Sequence, residues 1–205
     1  MTEMPLLVFT LIEQTTVGAF ATLAVLHFMG KVKAGKTSFV ISAVLAVLAV
    51  LGMVASLMHL GQPGRAFNAL AGIGRSPLSH EILFFGLFVA CVAVYAILAK
   101  MEKDAVAKIV GGIGAACGLL AVVFTSVCYM MPGVPAWDSL LTPIQFFLTV
   151  AACGIPLCLA LEATLEGAVA KKKNLWWGVF AGLLVTQVAM RWFFYSDIVT
   201  LVASM

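Results

Sequence analysis

Six long apolar runs, separated by short polar breaks, occupy almost all of this 205-residue chain. They cover residues 5–29, 37–60, 77–99, 105–130, 142–165 and 175–197. An α-helix rises about 1.5 Å per residue, so some 20 apolar residues cross the hydrocarbon core of a bilayer. The chain is 63% hydrophobic and 10% charged, with a mean hydropathy of +1.12. Soluble domains run at about 45–50% apolar and about 25% charged, so a soluble fold of this length has no means of covering so much apolar surface. The pattern predicts an all-α integral membrane protein, one transmembrane domain over residues 1–205 with about six spanning helices.

The N-terminus reads MTEMPLLVFTLIEQ, with Glu3 and no basic residue ahead of the first run. That run is too long for the apolar region of a cleavable signal, so it is expected to be a retained first span. Gly30 and Gly35 fall in the first break, and Gly61, Pro63 and Gly64 end the second helix. Ser76-Pro77 and Thr142-Pro143 read as N-cap and first helical residue of the third and fifth helices, with Gln145 in the capping-box slot after Thr142.

Lysine placement sets the orientation. Lys31, Lys33 and Lys36, then Lys100, Lys103 and Lys108, then Lys171, Lys172 and Lys173 lie in alternate connections, and these are all the lysines. The positive-inside rule puts these loops in the cytoplasm and both termini on the outer, extracytoplasmic side. The arginines depart from this pattern: Arg65 and Arg75 lie in the outer loop between helices two and three, and Arg191 lies near the outer end of the last helix.

Ionisable side chains at membrane depth cost at least a few kcal/mol and point to function. Here most of them converge on the outer leaflet: Glu13 and Gln14 in helix one, His59 at the end of helix two, Glu81 in the first turn of helix three, and Gln187 and Arg191 in helix six. His59 and Glu81 flank the same outer loop and form a candidate proton-accepting pair, since imidazole changes charge near neutral pH and a carboxylate can take the second proton. Structural alternatives stand beside this reading: an interfacial histidine, and a carboxylate serving only a helix terminus. Glu162 and Glu166, one turn apart, read as ion-pair partners of the cytoplasmic lysines, and His27 lies near the inner face, apart from the outer cluster.

Other chemistries fit less well. Cys91, Cys117, Cys128, Cys153 and Cys158 form no CxxC pair, so no metal site is expected, and each reads as a small buried apolar residue. A haem b site wants histidines on facing helices, and His59 and His80 both flank the interface. A carrier wants broken helices or charge at the midplane. The middles here are apolar, with Gly111, Gly112, Gly114 and Gly118 suited to close helix packing.

Five stretches carry a resemblance: PLLVFTLIEQTTVGAF from Pro5 to Phe20, SLMHLGQPGRAFNAL from Ser56 to Leu70, SPLSHEI from Ser76 to Ile82, VPAWDSLLTPIQFFLT from Val134 to Thr149, and MRWFFY from Met190 to Tyr195. In character and order they resemble the membrane anchor subunit of dimethyl sulfoxide reductase and related bacterial molybdoenzymes. The HLGxPxRAFN pattern is the most specific part. The resemblance implies a multi-pass protein of the bacterial cytoplasmic (inner) membrane that anchors a four-cluster ferredoxin-like iron–sulfur subunit and a molybdopterin catalytic subunit. It implies oxidation of menaquinol near the outer face in anaerobic respiration, with no haem or metal in this chain and no nucleic-acid partner.

Under the resemblance, His59 is the quinol-site histidine, Glu81 the functional glutamate and Arg65 the motif arginine; Gln14 and Arg191, costly polar groups at the same depth, are expected to join them around the quinol. The outer connection from Met131 to Thr142, with Trp137 and Asp138, and the loop from Gly61 to Ser76 are expected to dock the iron–sulfur subunit. Better-known members have about eight helices, two more than are expected here. A non-redox scaffold or assembly subunit is the alternative, and a haem b electron carrier a weaker one.

Overall fold

A computed structural model describes the backbone of residues 4–58, 68–69, 71–130 and 137–203, and side chains as far as Phe194. The described residues form six long helices and no strand: α1 (Met4–Phe28), α2 (Lys36–Met58), α3 (Pro77–Lys100), α4 (Asp104–Tyr129), α5 (Leu141–Leu165) and α6 (Ala170–Ala203). All six are long and apolar enough to cross a membrane. The first five agree with the expected spans to within about two residues at each end, whereas α6 starts five residues before the apolar run, taking in Lys171, Lys172 and Lys173. Lysine is a good helix former, so a polar first turn simply extends the helix beyond its apolar part.

The bundle is built around α1, which packs against α2, α4, α5 and α6, while α3 packs between α2 and α4. Burial follows that order: α1 is the most enclosed helix, and α6 is the most exposed. Outward faces carry Val47, Leu51 and Met58 on α2, Ile109 and Ile113 on α4, and Val185 and Phe193 on α6, as a lipid-facing surface requires.

Small residues permit the close approaches. A Cβ at Gly18 of α1 would collide with the Val150 carbonyl of α5, and one at Gly154 of α5 would collide with the Gly18 backbone, so these glycines bring two helix backbones into contact. On α4, Gly114 accepts the Phe20 ring and Cys91, and Gly118 accepts Phe88 and Val17. Between the two ends of the bundle, the interior is therefore a dry packing of Val17, Phe20, Phe88 and Val92, all fully buried.

The helix ends at the lysine-bearing side close in one way. Lys31 N–H donates to the Leu26 carbonyl at 3.0 Å and Gly30 N–H to the His27 carbonyl at 3.1 Å, with Gly30 at φ +71°. The same paired bonds end α3 about Glu102 (φ 55°), and Gly167 (φ +66°) ends α5. These are Schellman closures, which satisfy the last carbonyls of a helix with a left-handed residue.

At the helix starts, the expectations hold only in part. Ser76 is the extended N-cap of α3 with proline following it, but its hydroxyl makes no capping bond. Helix α5 begins at Leu141, one residue early, and Thr142 lies within its first turn. The Thr142 hydroxyl donates to the Trp137 carbonyl at 2.8 Å instead, so neither the expected cap nor the Gln145 capping box forms.

Candidate functional site

Two polar networks lie inside the bundle, one near each end. The network at the lysine-bearing end centres on His27, which is fully buried. His27 Nε2 lies 2.8 Å from Asp104 Oδ1, and its Nδ1 lies 2.9 Å from the Tyr95 hydroxyl. Asp104 also accepts from the Ala34 N–H at 3.0 Å and pairs with Lys108 at 2.9 Å. One carboxylate thus ties the α1–α2 connection to the start of α4. His27 is at the opposite end from the outer cluster, as its position in the sequence implies.

The network at the other end joins five helices, with α5 contributing Phe146 and Thr149. Helix α1 supplies Glu13 and Gln14, both at 0% exposure, α3 supplies Glu81 at 6%, α4 supplies Thr125 and Cys128, and α6 supplies Gln187 and Arg191. The Thr125 hydroxyl lies 2.9 Å from Glu13 Oε1 and 2.9 Å from the Ala121 carbonyl. One turn further along α4, the Cys128 thiol lies beside Glu81. The two carboxylates therefore sit beside adjacent turns of one helix, within electrostatic range of each other, and Glu13 is also within range of Arg191.

Arg191 donates from Nη2 to Gln14 Oε1 and lies with its guanidinium carbon 3.9 Å from the centroid of the Phe146 ring. Thr149 donates to Gln187 Oε1 at 2.8 Å, fixing α5 to α6 beside it. Two atoms of this cluster, Glu13 Oε2 and Gln14 Nε2, are buried without a hydrogen-bond partner among the described residues. Buried polar atoms of this kind are where water or a polar ligand is expected to bind.

The structure thus brings Glu81, Gln14 and Arg191 together with Glu13. His59 and Arg65, and half of the Gly61–Ser76 loop, lie outside the described residues. His80 is held by that loop: its Nδ1 lies 2.8 Å from the Ser76 carbonyl, its Nε2 accepts from Gly74 N–H at 3.2 Å, and its ring stacks on Phe124.

Trp137 is not the surface residue that a docking role requires. It is 4% exposed, its indole N–H donates to the Phe194 carbonyl at 2.9 Å, and its ring stacks on Phe194 and meets Tyr129. An indole is too apolar to stay in water when an aromatic cluster lies within reach. Neighbouring Asp138 and Leu140 remain exposed. Sequence reasoning also passed over Thr125 and Cys128. Each looks like an ordinary small residue in an apolar helix, and their spacing of three on α4 was the available signal.

Residues 1–198 match the family model described as DMSO reductase anchor subunit (DmsC). The chain belongs to the DMSO reductase anchor subunit family. It is 34% identical over 166 residues to an anaerobic dimethyl sulfoxide reductase chain of Haemophilus influenzae, covering 78% of this protein and 58% of that relative. Against the equivalent Escherichia coli protein the identity is 35% over 170 residues, 80% of this sequence and 59% of the relative. A second E. coli anaerobic dimethyl sulfoxide reductase chain, YnfH, is 36% identical over 162 residues, 78% and 57% respectively. The sequence spans a little under three-fifths of these curated relatives. No solved structure matches it. Family membership and six candidate spans make this anchor-family chain a multi-pass protein of the bacterial inner membrane.

Proposed function

We propose that this chain is the membrane anchor of a respiratory molybdoenzyme complex of the dimethyl sulfoxide reductase type, and that it oxidises menaquinol near the outer face. The supporting observation is the buried Glu13–Glu81 pair at the end of the bundle opposite the lysine loops. Two carboxylates enclosed among membrane-spanning helices are costly, and proton transfer is the chemistry that they can perform there.

The quinol enters laterally from the outer leaflet, with its isoprenoid tail against the apolar helix faces. His59 takes a proton from one hydroxyl, and Glu81, the more exposed of the two carboxylates, takes one from the other. Arg65 holds the ring or the partner subunit, and the Gln14–Arg191 pair fixes the wall behind the carboxylates. Each quinol oxidised to quinone releases two protons and two electrons. The protons pass to these side chains, and the electrons pass to an iron–sulfur subunit docked at the same end, which feeds a molybdopterin catalytic subunit.

The test is menaquinol-dependent acceptor reduction by the assembled complex carrying Glu81→Gln. The expected loss is at least tenfold in kcat, in line with the roughly 10²–10⁴-fold contribution of a positioned acid or base. Electrons delivered directly to the iron–sulfur subunit by a soluble dye should still be used at the normal rate. Unchanged quinol turnover with intact assembly rejects the site and leaves a scaffold.

A further inference from the structure

We infer that Glu13 is a second proton-carrying residue of the quinol reaction, standing behind Glu81 and receiving its proton. The inference rests on the quinol reading and gives a role to a residue that the reading leaves idle. Glu13 is completely enclosed, whereas Glu81 retains slight exposure, so Glu81 meets the quinol and Glu13 lies one step deeper.

Its surroundings suit a group that changes protonation. The Thr125 hydroxyl is equidistant, at 2.9 Å, from Glu13 Oε1 and from the Ala121 carbonyl. A hydroxyl has one proton to give and can also accept. When Glu13 is a carboxylate, Thr125 donates to it. When Glu13 carries a proton, Glu13 donates to Thr125, and the hydroxyl turns its own proton to Ala121. Both states of Glu13 are therefore hydrogen-bonded with no movement of the backbone. The second oxygen, Oε2, is buried with no partner among the described residues, leaving one position open to a water or to the incoming proton. Arg191 lies within electrostatic range and balances the charge when the proton leaves.

The balance is simple. A quinol O–H bond breaks, and Glu81 gains the proton while the electrons go to the iron–sulfur subunit. The proton then moves from Glu81 to Glu13, freeing Glu81 for the next turnover, and is handed to a water held at Glu13 Oε2, which carries it to the outer end of the bundle. One carboxylate alone would have to discharge to water before accepting again.

The experiment uses the assembled complex in membranes, with Glu13→Gln, Glu13→Asp and Glu81→Gln measured side by side. The glutamine keeps the size and the contact with Thr125 but cannot take a proton. Expected for Glu13→Gln is a fall in quinol-dependent kcat of about tenfold or more, with KM for the quinol changed less than about threefold, a larger solvent deuterium isotope effect, and partial recovery in Glu13→Asp. Infrared difference spectra of the wild-type complex on quinol oxidation should contain a protonated-carboxyl band that Glu13→Gln removes.

Normal turnover and an unchanged isotope effect in Glu13→Gln, with Glu81→Gln impaired, overturns the inference and keeps the quinol reading. A wild-type complex that oxidises no quinol overturns both. If Glu13→Gln fails to assemble, the infrared band decides: no protonated-carboxyl band in the wild type, or a band whose frequency Glu13→Asp leaves unmoved, rejects the role.

Discussion

A guanidinium inside a membrane bundle must exchange its hydration for fixed partners, and Arg191 does so at 0% exposure. Gln14 Oε1 accepts from one nitrogen, the Phe146 ring face lies 3.9 Å from the guanidinium carbon, and Glu13 lies within electrostatic range. The amide matters because an acceptor removed from a buried charged donor leaves that donor's desolvation uncompensated. Interhelical hydrogen bonds in membranes average about 0.6 kcal/mol, and bonds to charged groups about 1.5–3 kcal/mol. Gln14→Leu is therefore expected to destabilise the bundle by about 1–2 kcal/mol, read as a lower thermal midpoint of the detergent-solubilised protein. An unaltered midpoint would mean that other neighbours carry Arg191 and that the Gln14 contact is incidental.

At the scale of the helix, the three Schellman closures at the lysine-bearing end differ in one respect. Gly30 and Gly167 adopt left-handed backbone freely, but Glu102 has φ 55° with a side chain. A left-handed residue with a Cβ costs about 1–2 kcal/mol, part of which a glycine returns through the greater freedom of the unfolded state. Glu102→Gly should raise stability by up to about 1 kcal/mol, measurable in the same thermal assay, and a drop would show that the Glu102 side chain makes a compensating contact.

The helices themselves were legible in the sequence because bilayer thickness sets one length for every span. The caps were less so. Thr142-Pro143 has the composition of a helix start, yet the Trp137 carbonyl lies close enough to take the Thr142 hydroxyl, a tertiary contact that no local pattern records. The candidate site was legible as a set of expensive polar residues sharing a depth, which is how Glu81, Gln14 and Arg191 were found. Depth alone says nothing of which side chain faces which. The pairing of Glu13 with Thr125, and of Glu81 with Cys128, depends on the rotation of α1 and α3 about their axes against α4.

Across the whole molecule, the two polar networks are kept apart. Glu13 and His27 lie on the same helix 14 residues apart, about 21 Å at 1.5 Å per residue. The intervening interior consists of Val17, Phe20 and Phe88 packed onto Gly114 and Gly118, with Tyr95 closing the far side against His27. Among the described residues, that layer holds no titratable group between Glu13 and Tyr95 on the buried face of α1, α3 or α4, apart from the thiols. If quinol gives up its protons at the Glu13–Glu81 end, as proposed, no titratable carboxylate or imidazole of that layer leads them to the lysine loops, and they are expected to leave on the side where they were released.

If that side is also where the electrons pass to the partner subunit, turnover moves no net charge across the bilayer. Liposomes containing the assembled complex, menaquinol and the acceptor of its catalytic subunit should then show acceptor reduction with no signal from a potential-sensitive dye, while an added ionophore leaves the rate unchanged. A membrane potential that builds with turnover and slows it would require a proton path through the Phe20–Phe88 layer, and the separation of the two networks would no longer describe how the protein works.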